Sequence, residues 1–419
     1  MRASILLVAV AALFAGNGCN VFIPDWGTQG KACRSDADCN GITCDPFAVC
    51  ANSVLLADES NGGHQTLPNP CGADVELALS EDGEWAYLLI ACTKAPSRSS
   101  AWQIGRALDG SRNVVIQVAS RDSPWNSTDC IGVGPLLPFP DHHGMLAGCR
   151  VGKGDRVRLY ERSSNDWRLV MDPWQDLQPK ILALSEEFSS NNGEMSRYIA
   201  AIDRNEQLQL YNFSTNTPVL QGPKSPGITV KSMAFPADRY RLALGGCLGN
   251  PSTSLKLATI TNDDATFSDI ATDLACVDEL AYSVGGNWLF GLVRESSTPT
   301  EPKLFAWKVA NPYETPKTAD CFFCKHMAVA KDGDDNIMVM TRLETGPQNQ
   351  TQLMEFVLAD DAEPTATLTF RVLNTDTLAG EPAALATATV GPNDAVTPIL
   401  VLATDRDVHL WNLKRLRIQ

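Results

Sequence analysis

From about residue 70 to its end, the chain repeats one pattern: an apolar strand, a turn rich in Asp, Asn and Gly, a second apolar strand, then a hairpin of alternating residues. Helical periodicity is almost absent. The anchors are Leu77-Ala78-Leu79 before Trp85-Ala86-Tyr87-Leu88-Leu89-Ile90, Leu136-Leu137 before Met145-Leu146-Ala147, and Ile181-Leu182-Ala183-Leu184 before Tyr198-Ile199-Ala200. Met233-Ala234-Phe235 precedes Tyr240-Arg241-Leu242-Ala243-Leu244, Leu280-Ala281-Tyr282 precedes Trp288-Leu289-Phe290, and Met327-Ala328-Val329 precedes Ile337-Met338-Val339-Met340. Residues 383–388 before Ile399-Leu400-Val401-Leu402 complete seven units, spaced by about 50 residues.

Each anchor is followed by an outer hairpin that opens with an alternating strand, such as Val157-Arg158-Leu159-Tyr160, Leu304-Phe305-Ala306-Trp307 or Val408-His409-Leu410-Trp411. Four short strands make a sheet with no core of its own, stable only when packed face to face with its neighbours around a ring. The pattern predicts an all-β, seven-bladed β-propeller over residues 53–419, with six or eight blades as alternative counts. It resembles the broad WD-repeat and TolB-like propeller class over about residues 70–419. The likeness lies in period and pattern, since no blade carries the Gly-His and Trp-Asp signature. A ring needs its ends interlocked. The apolar run at residues 53–57 is the expected closing strand in blade 7, and residues 414–419 are its rival.

The N-terminus reads as an export signal over residues 1–18: Arg2 gives the positive start, residues 5–14 are apolar, and residues 15–18 are small or turn-forming. That stretch is too short to span a membrane, and no other approaches the ~18 apolar residues a spanning helix needs. Gly16-Asn17-Gly18-Cys19 resembles a bacterial lipoprotein lipobox, with Gly16 where that family carries Leu. The resemblance implies acylation of Cys19, removal of the signal and anchorage in the cell envelope. Asn20 in place of Asp points to the outer membrane. Ordinary signal cleavage is the alternative.

The cysteine count agrees from a separate direction. Thirteen is odd; setting Cys19 aside leaves twelve, and an oxidising compartment makes disulfides their default fate. Cys33, Cys39, Cys44 and Cys50 lie in a short polar segment that cannot bury a core and needs staples. Residues 19–52 therefore read as a lipidated, Cys-rich spacer. Of its three possible connectivities, Cys33 to Cys44 with Cys39 to Cys50 is favoured; a four-cysteine zinc site would use closer pairs. Cys71 with Cys92, and Cys130 with Cys149, bracket the first two strands of blades 1 and 2. Cys247 ends the second strand of blade 4 on the rim where Cys276 begins blade 5, and Cys321 with Cys324 remain. Their C-x-x-C spacing invites a redox reading, but a thioredoxin-like site needs a βαβ context. All twelve are expected to be structural.

Chemistry elsewhere is thin. The net charge of -15 repels phosphate backbones, so no nucleic-acid partner is expected. No histidine pair has helical metal spacing; the Asp141-His142-His143-Gly144 cluster and the Lys331-Asp332-Gly333-Asp334-Asp335-Asn336 run both read as hairpin turns, with a metal site as the minor alternative. Ser80-Glu81-Asp82-Gly83-Glu84-Trp85 resembles a partial sialidase Asp-box, which is structural in that family. No catalytic residue, resident metal or cofactor is assigned. The expected function is a non-enzymatic platform for an envelope protein or surface polymer, tethered to the membrane by its lipid. The alternative is a propeller enzyme (hydrolase, lactonase or quinone-dependent dehydrogenase) with its site in the central channel.

Overall fold

A computed structural model describes most of residues 64–417 and short strands between residues 31 and 55. Within residues 64–417 the longest connecting segments outside the described residues are 107–112, 120–131, 248–253, 360–367 and 391–396. Residues 1–30, with Cys19, fall outside them too, as do Cys33, Cys39, Cys130 and the Asp141-His142-His143 turn.

Within that set the chain builds seven antiparallel blades of four strands in succession; blades 4 and 5 are bridged into one sheet, and blades 1 and 6 each carry a fifth, edge strand. Their inner strands are Val75–Asp82, Gly132–Phe139, Pro179–Leu184, Thr229–Ala234, Leu274–Tyr282, Cys324–Asp332 and Pro382–Val390. Each inner strand touches the next, and the seventh touches the first, so the sheets stand as blades around a channel. This is the seven-bladed β-propeller expected from the period.

The second strands explain why the anchors are continuous apolar runs rather than alternating ones. Each lies mid-sheet, with a neighbouring blade against either face, so both sets of side chains are covered. Every residue of Thr397–Thr404 is buried, and so are Ile337, Met338, Val339 and Met340. The core is thus a series of seams between blades. One joins Trp102 and Ile104 of blade 1 to Val401 and Leu410 of blade 7, and another joins Phe290 of blade 5 to Met338 and Met340 of blade 6.

The expected closing strand needs correction. Blade 7 takes its outer strand from His64–Pro68, paired from Trp411↔His64 to Asp407↔Pro68. Ser53–Leu55 instead joins the outer edge of blade 1 as a fifth strand, with Ser53 opposite Ile116. Connectivity decides this. Around the ring the outer strand of one blade leads into the inner strand of the next, so the outer strand of blade 7 is the segment just ahead of Val75. Apolar content is a poor guide there, because an edge strand needs only a few buried contacts; Leu67 alone of the five residues is buried. The described part of the rival segment, residues 414–417, does not form the strand either. Leu413–Leu416 is a single helical turn capped by Asn412, whose side-chain oxygen accepts the Arg415 N–H. Beyond it, Arg417 pairs with Glu355 and Asp332 of blade 6, which fastens the chain end across the blade 6–7 seam.

Candidate functional site

Strand direction sorts the loops between two rims. Inner strands start, and second strands end, at one rim, where outer-to-inner connections also cross. All the described disulfides sit there. Cys71 bonds Cys92 (Cα–Cα 5.0 Å), Cys247 bonds Cys276, and Cys321 bonds Cys324. Cys247 and Cys276 are also opposite one another in register, which joins blades 4 and 5. Cys149 is disulfide-bonded at the same rim, while Cys130 lies outside the described residues. In the Cys-rich segment, Cys44 stands opposite Cys50 in register. Cys321 is fully buried and Cys324 nearly so, which shields the C-x-x-C sulfurs from an external thiol.

Just inside this rim, six of the seven inner strands are bulged. The register slips between Val133 and Leu136, Pro179 and Ile181, Val230 and Ser232, Val277 and Glu279, Cys324 and His326, and Pro382 and Ala384. A bulge bends the strand and re-aims its side chains. The second strand must pass close beneath, and glycine allows it: a Cβ on Gly246 would lie 2.3 Å from the Thr229 carbonyl oxygen, and one on Gly148 2.5 Å from that of Gly134.

The residue after the bulge often reaches into the next blade. Ser232 Oγ accepts the Leu280 N–H at 2.9 Å. Glu279 accepts the Met327 N–H at 2.5 Å through one oxygen and meets His326 Nδ1 at 2.8 Å through the other. The bulged residues form ion pairs of their own: Asp278 binds Lys231 at 2.5 Å and Arg294 at 2.8 Å. Burial opposes the Asp278 carboxylate, but its Arg294 and Lys231 partners outweigh it and hold the pKa below the ordinary value. At His326, burial works against the cation; the Glu279 carboxylate and a hydrogen bond with Pro382 overcome that and raise the pKa.

Glu76 differs. It is the second residue of the inner strand of blade 1, and burial pushes its carboxyl up to about 7, against a smaller opposing pull from His326. Blade 7 stands between blades 1 and 6, so Glu76 and His326 reach one another's field through the channel end. The arrangement offers one carboxyl that exchanges its proton near neutrality, within the electrostatic reach of an imidazole already committed to Glu279. Neither Glu76 nor Glu279 was a sequence-level candidate. One signal was available: Glu279 and His326 stand 47 positions apart, and Ser232 precedes Glu279 by the same blade length (279 less 232).

The other sequence candidates are placed apart. His64 and His409 meet in blade 7, Nε2 to Nδ1 at 3.1 Å. Asp332 of the Lys331–Asn336 run is engaged by Arg417 and Lys414 rather than poised for an ion. Among the described residues, one trio lies within metal-ligand distance, Cys247, Cys276 and Asp278, and its two sulfurs are bonded to each other. No helix among the described residues is long and apolar enough to cross a membrane. Large exposed apolar side chains stand on both rims: Phe322 and Phe323 on the disulfide-bearing side, and Met195, Tyr240, Val284 and Tyr313 on the opposite turns.

No family model matches the chain, and no curated protein is similar to it in sequence. Among solved structures, it superposes on a chain of the mitotic checkpoint complex with a TM-score of 0.50 at 16% identity, covering 83% of this chain and 90% of that one. A chain of a nidogen/laminin complex superposes with a TM-score of 0.40 at 10% identity, covering 64% and 89%, too loosely to bear on the fold. The first likeness agrees with the ring of blades: this is a β-propeller fold.

Proposed function

We propose that the chain is a lipid-anchored envelope protein whose propeller serves as a non-enzymatic binding platform for another protein or a surface polymer. One observation carries the platform reading: the polar groups at the channel mouth are largely spent on holding blades together, whereas large apolar side chains face solvent at the rims. Ser232, Glu279, His326 and Asp278 all have partners on neighbouring strands, while Phe322, Phe323 and Tyr313 are exposed. Exposed aromatic side chains on a rigid frame are what protein recognition uses. The superposable checkpoint-complex chain is itself part of a multi-protein assembly, which suits this reading. The envelope address rests on the Arg2-led signal, on Cys19 and on the odd cysteine count. Cys19→Ser should shift the protein from the detergent phase to the soluble fraction, because multiple acyl chains make anchoring durable; unchanged partitioning sinks the lipid assignment. Crosslinked pull-down of the anchored chain from envelopes tests the platform, and recovery of the chain alone counts against it.

A second reading keeps the channel as an enzyme site, and Glu76 favours it. A carboxyl with a pKa near 7 suits a general acid or base. If hydrolysis of an ester or lactone panel appears and is abolished by Glu76→Gln, the enzyme reading replaces the platform.

A further inference from the structure

We propose that the Cys321–Cys324 turn is a preformed docking knob, made of Phe322, Phe323 and Lys325, for a second protein that offers an apolar cleft bordered by a carboxylate. The inference deepens the platform reading and rests on it. Phe322 is 48% and Phe323 57% exposed, although the sulfurs on either side of them are sunk in a seam with Phe290, Met327 and Met340. The turn is thus rooted in the core and cannot fold its rings inward. Two further bonds hold it. The Cys324 N–H donates to the Cys321 carbonyl at 3.3 Å, and the Leu343 N–H of blade 6 donates to the Phe323 carbonyl at 3.1 Å. Phe323 has φ 60, a left-handed conformation that a bulky residue rarely adopts and that persists only where its surroundings over-determine it. Rings fixed before binding lose little conformational freedom on contact, so rigid aromatics make efficient anchors.

Lys325 supplies the polar half. Lysines occupy equivalent bulge positions in blades 3, 4 and 6. Lys180 is paired with Glu206 and Lys231 with Asp278. Lys325, next to the aromatic turn, is exposed and has no ion pair among the described residues. Among the described residues, the one unneutralised bulge lysine therefore lies beside the one exposed aromatic pair on this rim, and its complement is a partner carboxylate. A membrane surface is the poorer occupant, because the net charge of -15 is repelled by anionic headgroups.

The test places a photoreactive benzoylphenylalanine at position 322 of the full chain, in the cells that make it, with the same group at position 313 on the opposite rim as comparator. After irradiation, crosslinked peptides are identified by mass spectrometry. The expected result is a position-322 adduct with a different protein, at a segment that combines apolar residues with Asp or Glu. Lys325→Glu should lower its yield at least about tenfold, Lys325→Arg should preserve it, and neither should alter the melting temperature. An adduct with lipid or with a second copy overturns the proposal, as does a yield indifferent to Lys325→Glu. Protein captured from position 313 but not from 322 overturns the knob and leaves the platform standing; capture from neither overturns both.

Discussion

The ring is closed by a strand whose stability is set to fall in acid. His64, on the closing strand, meets His409 at 3.1 Å and stacks on Trp411 with ring centroids 4.7 Å apart. His409 is only 7% exposed; burial, aided by the neighbouring His64, lowers its pKa from 6.5 to about 4. Burial lowers that of His64 as well. In the unfolded chain His409 takes up a proton below about 6.5, whereas in the folded chain it stays neutral down to about 4. Between those limits the unfolded state binds more protons, so stability is present in full above the higher value and is lost as the pH falls toward the lower. At ~1.4 kcal/mol per pH unit, that gap corresponds to a loss of ~3 kcal/mol from His409. Denaturant unfolding at pH 7.5 and 4.5 would measure it, comparing the wild-type chain with His409→Gln. Carboxylates that titrate in both proteins cancel in the difference. The variant should be less sensitive to acid by ~3 kcal/mol, and hydrogen exchange of residues 64–68 should quicken in acid in the wild type more than in the variant. A variant that loses as much stability as the wild type between the two pH values refutes the reasoning.

Glu76→Gln should act with the opposite sign. The folded carboxyl is raised from 4.5 to about 7, so the wild type loses stability as pH rises between those values. The variant should be more stable at pH 8 by ~2 kcal/mol, after a discount for channel water, and equal near pH 4; parallel pH curves would refute this. Gly246→Ala drives a Cβ against the Thr229 backbone and should cost several kcal/mol, roughly 3 or more, since backbone must move; a melting temperature within a degree or so of wild type would show that the bulge yields. Leu67→Ala in the closing strand, 2% exposed, should cost about 2–5 kcal/mol. Deletion of residues 53–55 should cost much less, and the reverse ranking in thermal melts would contradict the assigned closure.

The sequence was enough to determine the blades, because burial on both faces writes itself into the second strands as unbroken apolar runs such as Trp85-Ala86-Tyr87-Leu88-Leu89-Ile90. Local connectivity likewise made the junctions of Cys71 with Cys92 and of Cys247 with Cys276 legible, since antiparallel neighbours bring those strand ends to one rim. Only the closed ring decided the rest. His64–Pro68 is an edge strand anchored by one leucine, so its pattern says little, and residues 53–57 looked better because they are more apolar. Glu76, Glu279 and His326 lie far apart in sequence, and it is ring closure that brings the ends of blades 1 and 6 into one another's field. The exposure of Phe322 and Phe323 was equally hidden, because the C-x-x-C spacing speaks for the cysteines and not for the residues between them. What holds them in water is a buried disulfide and a positive φ, and both are set by how blade 6 packs against blade 5.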